Sequence, residues 1–188
     1  MPANYSNCSL CPYFNQQHLT GINSIYSIQN PTPLSMDIGS NADTLLIFQA
    51  PGVDEWTGNT VSGNRIPIDS QNSHSAAARM RNSMQRNVVQ RTNYDITEAV
   101  QCFPGKRNNG RDKKPSSISQ RCCLQHLIAD LSQKQYNKIV AFGKVAYKSA
   151  MLAVNTVNHL KLGITQPQPT FAQHPSSGVD KTTLDSSY

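Results

Sequence analysis

The sequence predicts an α/β fold, a three-layer sandwich around a mainly parallel central four-stranded sheet. Short runs of β-type apolar residues alternate with longer amphipathic runs, which is the βαβα pattern of parallel strands joined by crossovers. Each strand-like run ends in a Gly, Pro or polar turn. Those turns carry the acids, cysteines and histidine that could do chemistry, so they should converge at one sheet edge. A chain of 188 residues can bury one core, and a single domain over 1–188 is expected.

Residues 1–42 are rich in Asn, Ser, Gln and Pro, with Cys8 and Cys11 near the front, and read as a loop-rich segment pinned by those thiols. After Asp43 and Thr44 comes an unbroken apolar run, Leu45 to Phe48, a strand that leads into Gln49, Ala50, Pro51 and Gly52, then Asp54, Glu55 and Trp56. A buried strand of this kind delivers its turn and carboxylates to the sheet edge, so Gln49 to Trp56 should line the pocket. Gly58, Gly63 and Pro67 make residues 57–72 an irregular loop over it. From Ser75 to about Gln90, Met80, Met84 and Val88 recur every four positions while Arg79, Arg81 and Arg86 take other faces, which predicts a surface helix.

Tyr94 to Val100 predicts the second strand, leading into Cys102, Phe103, Pro104, Gly105 and a basic run from Lys106 to Lys114. Pro115 and the serines after it start and cap a helix with Leu124, Leu127, Ile128 and Leu131 on one face and a solvent-exposed polar face opposite. Lys138 to Phe142 is the third strand and Gly143 its turn. Val145 to about Val154 is a helix whose Ala146, Ala150 and Ala153 allow close packing. Thr170 to Gln173 offers a short fourth strand ending at His174, Pro175 and Ser176, and the polar tail over 177–188 is expected to be loose. There is no internal repeat.

Lys plus Arg exceed Asp plus Glu by 17 to 11, a net charge of +6 that favours a polyanion such as nucleic acid as partner. No apolar window reaches the roughly 18 residues of a membrane span, and the polar start lacks a secretory pattern. A cytoplasmic, monomeric protein with no membrane partner is therefore expected. Five cysteines in a reducing compartment argue against a disulfide framework and direct attention to metal ligation. Spacing alone leaves zinc and an iron–sulfur cluster both open.

The motifs together resemble the iron–sulfur uracil-DNA glycosylases, the fourth family of that superfamily, from Cys8 to Ser176. That family opens with Cys-x-x-Cys, met here as Cys8 and Cys11. Its Gly-Glu-Ala-Pro-Gly motif before an acidic pair corresponds to Gln49, Ala50, Pro51 and Gly52, then Asp54 and Glu55. Its Ile-Thr-Asn-x-Val-x-Cys strand matches Ile96 to Cys102, its Leu-Gly turn Phe142 and Gly143, and its His-Pro-Ser the segment His174 to Ser176.

The resemblance implies a uracil-DNA glycosylase-like fold and a monofunctional enzyme that flips a base out of DNA and hydrolyses its N-glycosidic bond to leave an abasic site. It implies a 4Fe–4S cluster, with zinc as the alternative, on Cys8, Cys11, Cys102 and one of Cys122 and Cys123. Counting back from Gly143 in the family's spacing favours Cys123. His174 would hydrogen-bond the departing base, and Asp54 or Glu55 would face the sugar, the choice between them open. Lys106, Arg107, Arg111, Lys113, Lys114 and Ser176 are candidate DNA contacts, and Gln49, Ala50, Gly52, Val61 and Glu98 candidate base contacts.

Departures from the family fall on the base contacts. Glu98 stands where the family has an Asn that offers uracil both a donor and an acceptor. An ionised Glu98 would only accept, repelling the uracil carbonyl and suiting the cytosine amino group. Val61 aligns with a stacking Phe, which would enlarge the cavity, with Trp56 a candidate replacement surface, and Gln49 replaces a Glu. The substrate expected from these departures is a 5-substituted cytosine, hydroxymethyl or glucosylated hydroxymethyl, in defence against phage. Uracil excision in base excision repair and a non-catalytic DNA-binding module of the same fold are the alternatives.

Overall fold

Burial on both faces of each apolar run decides the architecture. The structure is a computed structural model that describes residues 5–160, 163–175 and 181–187. Its strands are β1 (Thr44–Phe48), β2 (Tyr94–Glu98), β3 (Lys138–Phe142) and β4 (Thr170–Ala172). Its α-helices are α1 (Val53–Thr57), α2 (Ala76–Arg86), α3 (Ser117–Leu131), α4 (Lys144–Leu160) and α5 (Lys181–Asp185). The sheet order is β2-β1-β3-β4 and every pairing is parallel, with Phe48 opposite Glu98 and Phe142 opposite Ala172.

Successive side chains of a strand point to opposite faces. Leu45, Ile47, Ile139 and Ala141 pack against Leu127 and Leu131 of α3 and the alanines of α4. Leu46, Phe48, Ile96, Val140 and Phe142 pack the other way, against Met80 and Met84 of α2 and Leu184 of α5. This is the three-layer α/β arrangement that the sequence predicts. From β1 the chain crosses to β2 on one side and later returns to β3 on the other, so the topological switch lies beside β1.

Several boundaries differ from expectation. Helix α2 starts where expected, Ser75 capping it by accepting from the Ala78 N–H at 3.1 Å, but it ends at Arg86. Val88 lies beyond it, 89% exposed and at φ 55°, because the chain turns back there and Val89 packs inward instead, its N–H donating to the Met84 carbonyl at 2.9 Å. Helix α4 runs on to Leu160 because Val157 continues the buried face of Ala146, Ala150 and Ala153. The expected solvent face of α3 is in part buried: Ser119, His126 and Asp130 are enclosed, since the helix also borders the N-terminal segment and the end of β2.

The loose tail is also corrected over its described part. Residues 181–187 include α5, which docks on α2 through buried Leu184 and an Asp185–Arg86 ion pair at 2.6 Å. One apolar residue in a polar stretch was too weak a pattern to reveal it. The first 42 residues are loop-rich as expected, with three short 3-10 helices over Tyr5–Leu10, Phe14–Gln16 and Gly21–Tyr26.

At the start of β2, fully buried Asp95 accepts from the Tyr136 hydroxyl at 2.7 Å and the Gly39 N–H at 2.8 Å, and pairs with Lys134 at 2.8 Å. This network joins the edge of the sheet to the segments before β1 and β3. Asp95→Ala leaves the hydroxyl and the amide without an acceptor, each costing about 1–3 kcal/mol. A urea-unfolding midpoint that drops correspondingly, with an unchanged denaturant slope, is the expected result.

Candidate active site

The four strands end at one rim, and the turns after them surround a cavity of about 190 Å³. Gln49, Ala50, Gly52, Asp54 and Glu55 reach it from the turn after β1 and the start of α1. Glu98 closes β2, Lys106 and Lys113 stand on the basic loop, and His174 follows β4. Most of the sequence-predicted catalytic and base-contacting residues are thus brought to one wall.

Two glycines make this convergence geometrically feasible. A Cβ on Gly52 would lie 2.7 Å from Oε2 of Glu55, so that carboxyl folds over bare backbone. A Cβ on Gly143 would lie 3.2 Å from the Cβ of His174, and its φ of 89° suits glycine, so the turn after β3 admits the histidine beside it.

The electrostatics follow from burial. Glu55 is 5% exposed, and burial pushes its carboxyl up to about 7, with Asp54 and Asp112 adding like charge against its own N–H and Arg81. Asp54 is less enclosed and is held by the Ser70 hydroxyl and the Asn72 N–H, both donating to Oδ2. His174 is drawn below the ordinary imidazole value by burial, which outweighs the opposing pull of Asp112, so the ring is neutral at neutral pH. Glu98 is buried, its Oε2 has no hydrogen-bond partner among the described residues, and burial followed by the charge of Glu55 holds its carboxyl well above the usual range. Among the described residues no ion pair reaches Glu98, so the charged form expected from sequence has no partner at the strand end.

Other expected positions lie elsewhere. Val61 is 65% exposed and off the cavity wall, because a Thr60–Ser70 bridge closes its loop and leaves Val61 outside. The wall is formed by Ile68 of the same loop, a β-branched residue at φ 67° that also borders a neighbouring cavity of about 390 Å³. Trp56 is core, buried with Leu19, Leu34 and Phe103, with the Arg65 guanidinium 4.2 Å from its ring centroid. It offers the cavity no stacking surface.

The basic loop is a small hairpin, its Arg107 and Lys113 N–H groups donating to the Arg111 and Gly105 carbonyls. Lys106 is tied to Asp112 at 2.8 Å, while Arg107, Arg111 and Lys114 project into solvent beyond the wall. Ser176 lies outside the described residues. Sequence reasoning missed Ile68, Asn72, Ser75 and Asp112 on the wall. Only Asp112 left a visible sign, as the single acid inside a basic run.

A second cavity, of about 210 Å³, is lined by Cys8, Cys11, Cys102 and Cys123 together with Tyr13, Pro31, Pro33 and Trp56. Cys122 packs nearby but is not on that wall. Among the described residues no group of three or more His, Cys, Asp or Glu is set to hold a metal ion. The four thiols border one space, and four cysteines on one space are a donor set that suits an iron–sulfur cluster or zinc. Cys11 is drawn down to about 6, chiefly by the hydrogen bond from Cys123, and the Tyr13 N–H also donates to it at 3.5 Å. Burial pushes Cys102 up to about 12. Nε2 of His126 lies 3.2 Å from the Cys8 sulfur.

Comparison with known proteins gives one family. The model described as "UDG: Uracil DNA glycosylase superfamily" matches residues 36–183. That span begins after Cys8 and Cys11 and contains the whole cavity wall. No curated protein matches the chain. No described helix is long and apolar enough to cross a membrane.

Glu55, Glu98 and Asp130 share one pH signature. Each is raised in the folded state, Glu55 to about 7 and Asp130 to about 6, so each favours folding fully below its unfolded value and ceases to as pH rises through the folded one. Folding stability should fall between about pH 4 and 7, and Glu55→Gln should remove a part of that slope on the order of 3 kcal/mol. Urea unfolding at stepped pH checks this. A metal group held by the thiols of the second cavity would be lost in Cys123→Ala and kept in Cys122→Ala, read by metal analysis and visible absorbance.

Proposed function

The chain belongs to the uracil DNA glycosylase superfamily, and from that premise we propose that it is a monofunctional DNA glycosylase that hydrolyses the N-glycosidic bond of a flipped pyrimidine. The observation that carries this is one cavity at the sheet's carboxyl rim that holds His174, both acids of the turn after β1, and Glu98. Scission leaves negative charge on the base and positive charge on the sugar. A neutral His174 donates an N–H to the base oxygen where that charge collects, without first giving up a proton. On the sugar side, Asp54, fixed by Ser70 and Asn72, faces the developing cation. Glu55, with its proton affinity near neutrality, takes a proton from the water that adds to the anomeric carbon as the base leaves with the bonding electrons.

Lys113 and the exposed Arg107, Arg111 and Lys114 supply phosphate contacts that offset base extrusion, while Lys106 holds the loop in shape through Asp112. Cys8, Cys11, Cys102 and Cys123 would hold a 4Fe–4S cluster, with zinc the alternative. Held there, such a group would tie the N-terminal segment to the turn after β2 and to α3 through these four thiolates.

The substrate in this reading is a cytosine with a hydroxymethyl or glucosylated hydroxymethyl group at carbon five. Asn72, Ser75 and Asp112 on the wall are groups that bind hydroxyls. Phage genomes carrying such bases would make the role one of defence. Uracil is the second reading, and the burial of Glu98 without an ion pair among the described residues keeps it open, because repulsion of the uracil carbonyl requires an ionised carboxylate.

Duplex and single-stranded oligonucleotides carrying uracil, cytosine or 5-substituted cytosines, assayed for abasic sites, test the proposal. Release of uracil alone would remove the modified-cytosine reading. His174→Ala should slow base release about 100- to 1,000-fold while leaving DNA affinity nearly unchanged. Absence of release from every substrate, with DNA still bound, would leave a non-catalytic binding module.

A further inference from the structure

The base-reading position of this cavity is a carboxyl group enclosed by the fold. Glu98 ends β2, is 4% exposed, lines the cavity, and has one oxygen with no hydrogen-bond partner among the described residues. Among the described residues no ion pair reaches it. The charged and titratable groups sharing the cavity are Asp54 and Glu55 from α1, His174 after β4, and Lys106, Asp112 and Lys113 from the basic loop. Of these, Glu55 is the one whose charge acts on Glu98, and it is of like sign. Lys106 is already engaged by Asp112.

The geometry points to Glu98 meeting the flipped base as a neutral carboxylic acid, its hydroxyl donating and its carbonyl accepting, which makes it a specificity-determining residue able to read either uracil or a cytosine. The inference rests on the glycosylase reading. Uracil presents the O4 acceptor beside the N3 donor, and cytosine the N4 donor beside the N3 acceptor. An acid matches the first edge with its proton on one oxygen and the second with its proton on the other. Ionised, the same group would repel one atom of either edge. An amide in this place must turn over to exchange its two roles, whereas the acid only relocates a proton. Burial and the Glu55 charge, which hold that proton on Glu98 well above the usual carboxylate range, agree with this role. Discrimination between pyrimidines then has to come from the rest of the wall, and alkaline pH should weaken release of both.

Single-turnover base release by the full chain from uracil- and cytosine-type oligonucleotides, followed from neutral to alkaline pH, tests this in wild type, Glu98→Gln and Glu98→Ala. Wild type should lose about 10- to 100-fold on the alkaline side for both bases. The Gln variant, which cannot ionise, should lack that limb and stand above the Ala variant throughout. An alkaline limb unchanged in Glu98→Gln would overturn the proposal. Infrared difference spectra of wild type against Glu98→Gln at pH 7 give a readout that needs no turnover. A carboxylic-acid carbonyl band supports the neutral group, and a carboxylate band in its place refutes it. Should no base be released, the glycosylase reading fails while the infrared result still decides the state of Glu98.

Discussion

Everything in this molecule depends on the parallel register of its four strands. Because Phe48 stands opposite Glu98 and Phe142 opposite Ala172, the strands stop together, and the segments leaving them have one rim to share. The switch beside β1 then separates the turns enough for a cavity to open between them. Residues far apart in the chain, Asp54, Glu98 and His174 among them, become neighbours without any long-range pairing of their own. Slipping β2 by one residue would turn Glu98 away from the rim and put Ile96 on the face where Asp95 and Thr97 make their hydrogen bonds, stranding those two polar groups in the opposite core.

The rim is also where the fold is electrostatically least comfortable. Among the described residues Glu55 and Glu98 are enclosed with no ion pair to either, and Asp130, behind β2, accepts from the Thr97 hydroxyl at 2.6 Å and the Gln101 amide at 3.2 Å. The opposite end of the sheet is built in the contrary manner. Asp95 there has a phenol, an amide and an ammonium group, so its charge is fully answered. Satisfied charge at the foot and unsatisfied acid at the rim divide structural from chemical duty along five residues of one strand.

The layered fold was legible because its signals are local and repeated. Leu45 to Phe48, Ile139 to Phe142 and the alanine spacing of α4 each announce an element, and short connections leave few topologies. The acids after β1, the cysteines and His174 were legible as types at turns. Their surroundings were not. Whether Glu98 carries a charge depends on how completely distant residues enclose it, which no window of sequence contains. Val61 and Ile68 are both aliphatic residues of one loop, and only the Thr60–Ser70 bridge decides which one faces the cavity. Leu184 and Val88 show the same limit in opposite directions, one apolar side chain packed where composition was polar and another displaced by a turn.

Ile68 is a partition under tension. It divides the rim cavity from the larger chamber lined by Asp69, Arg81 and Arg91, and it does so in a backbone region that costs a branched residue about 1–3 kcal/mol. A glycine there would relax the chain and remove the divider in one step, but it would also give up a side chain buried in the same core as Phe48, Ala77 and Met80, a loss of about 2–5 kcal/mol. The packing that this side chain makes therefore outweighs the strain it carries, and the two compartments stay apart because merging them would loosen the core beside α2.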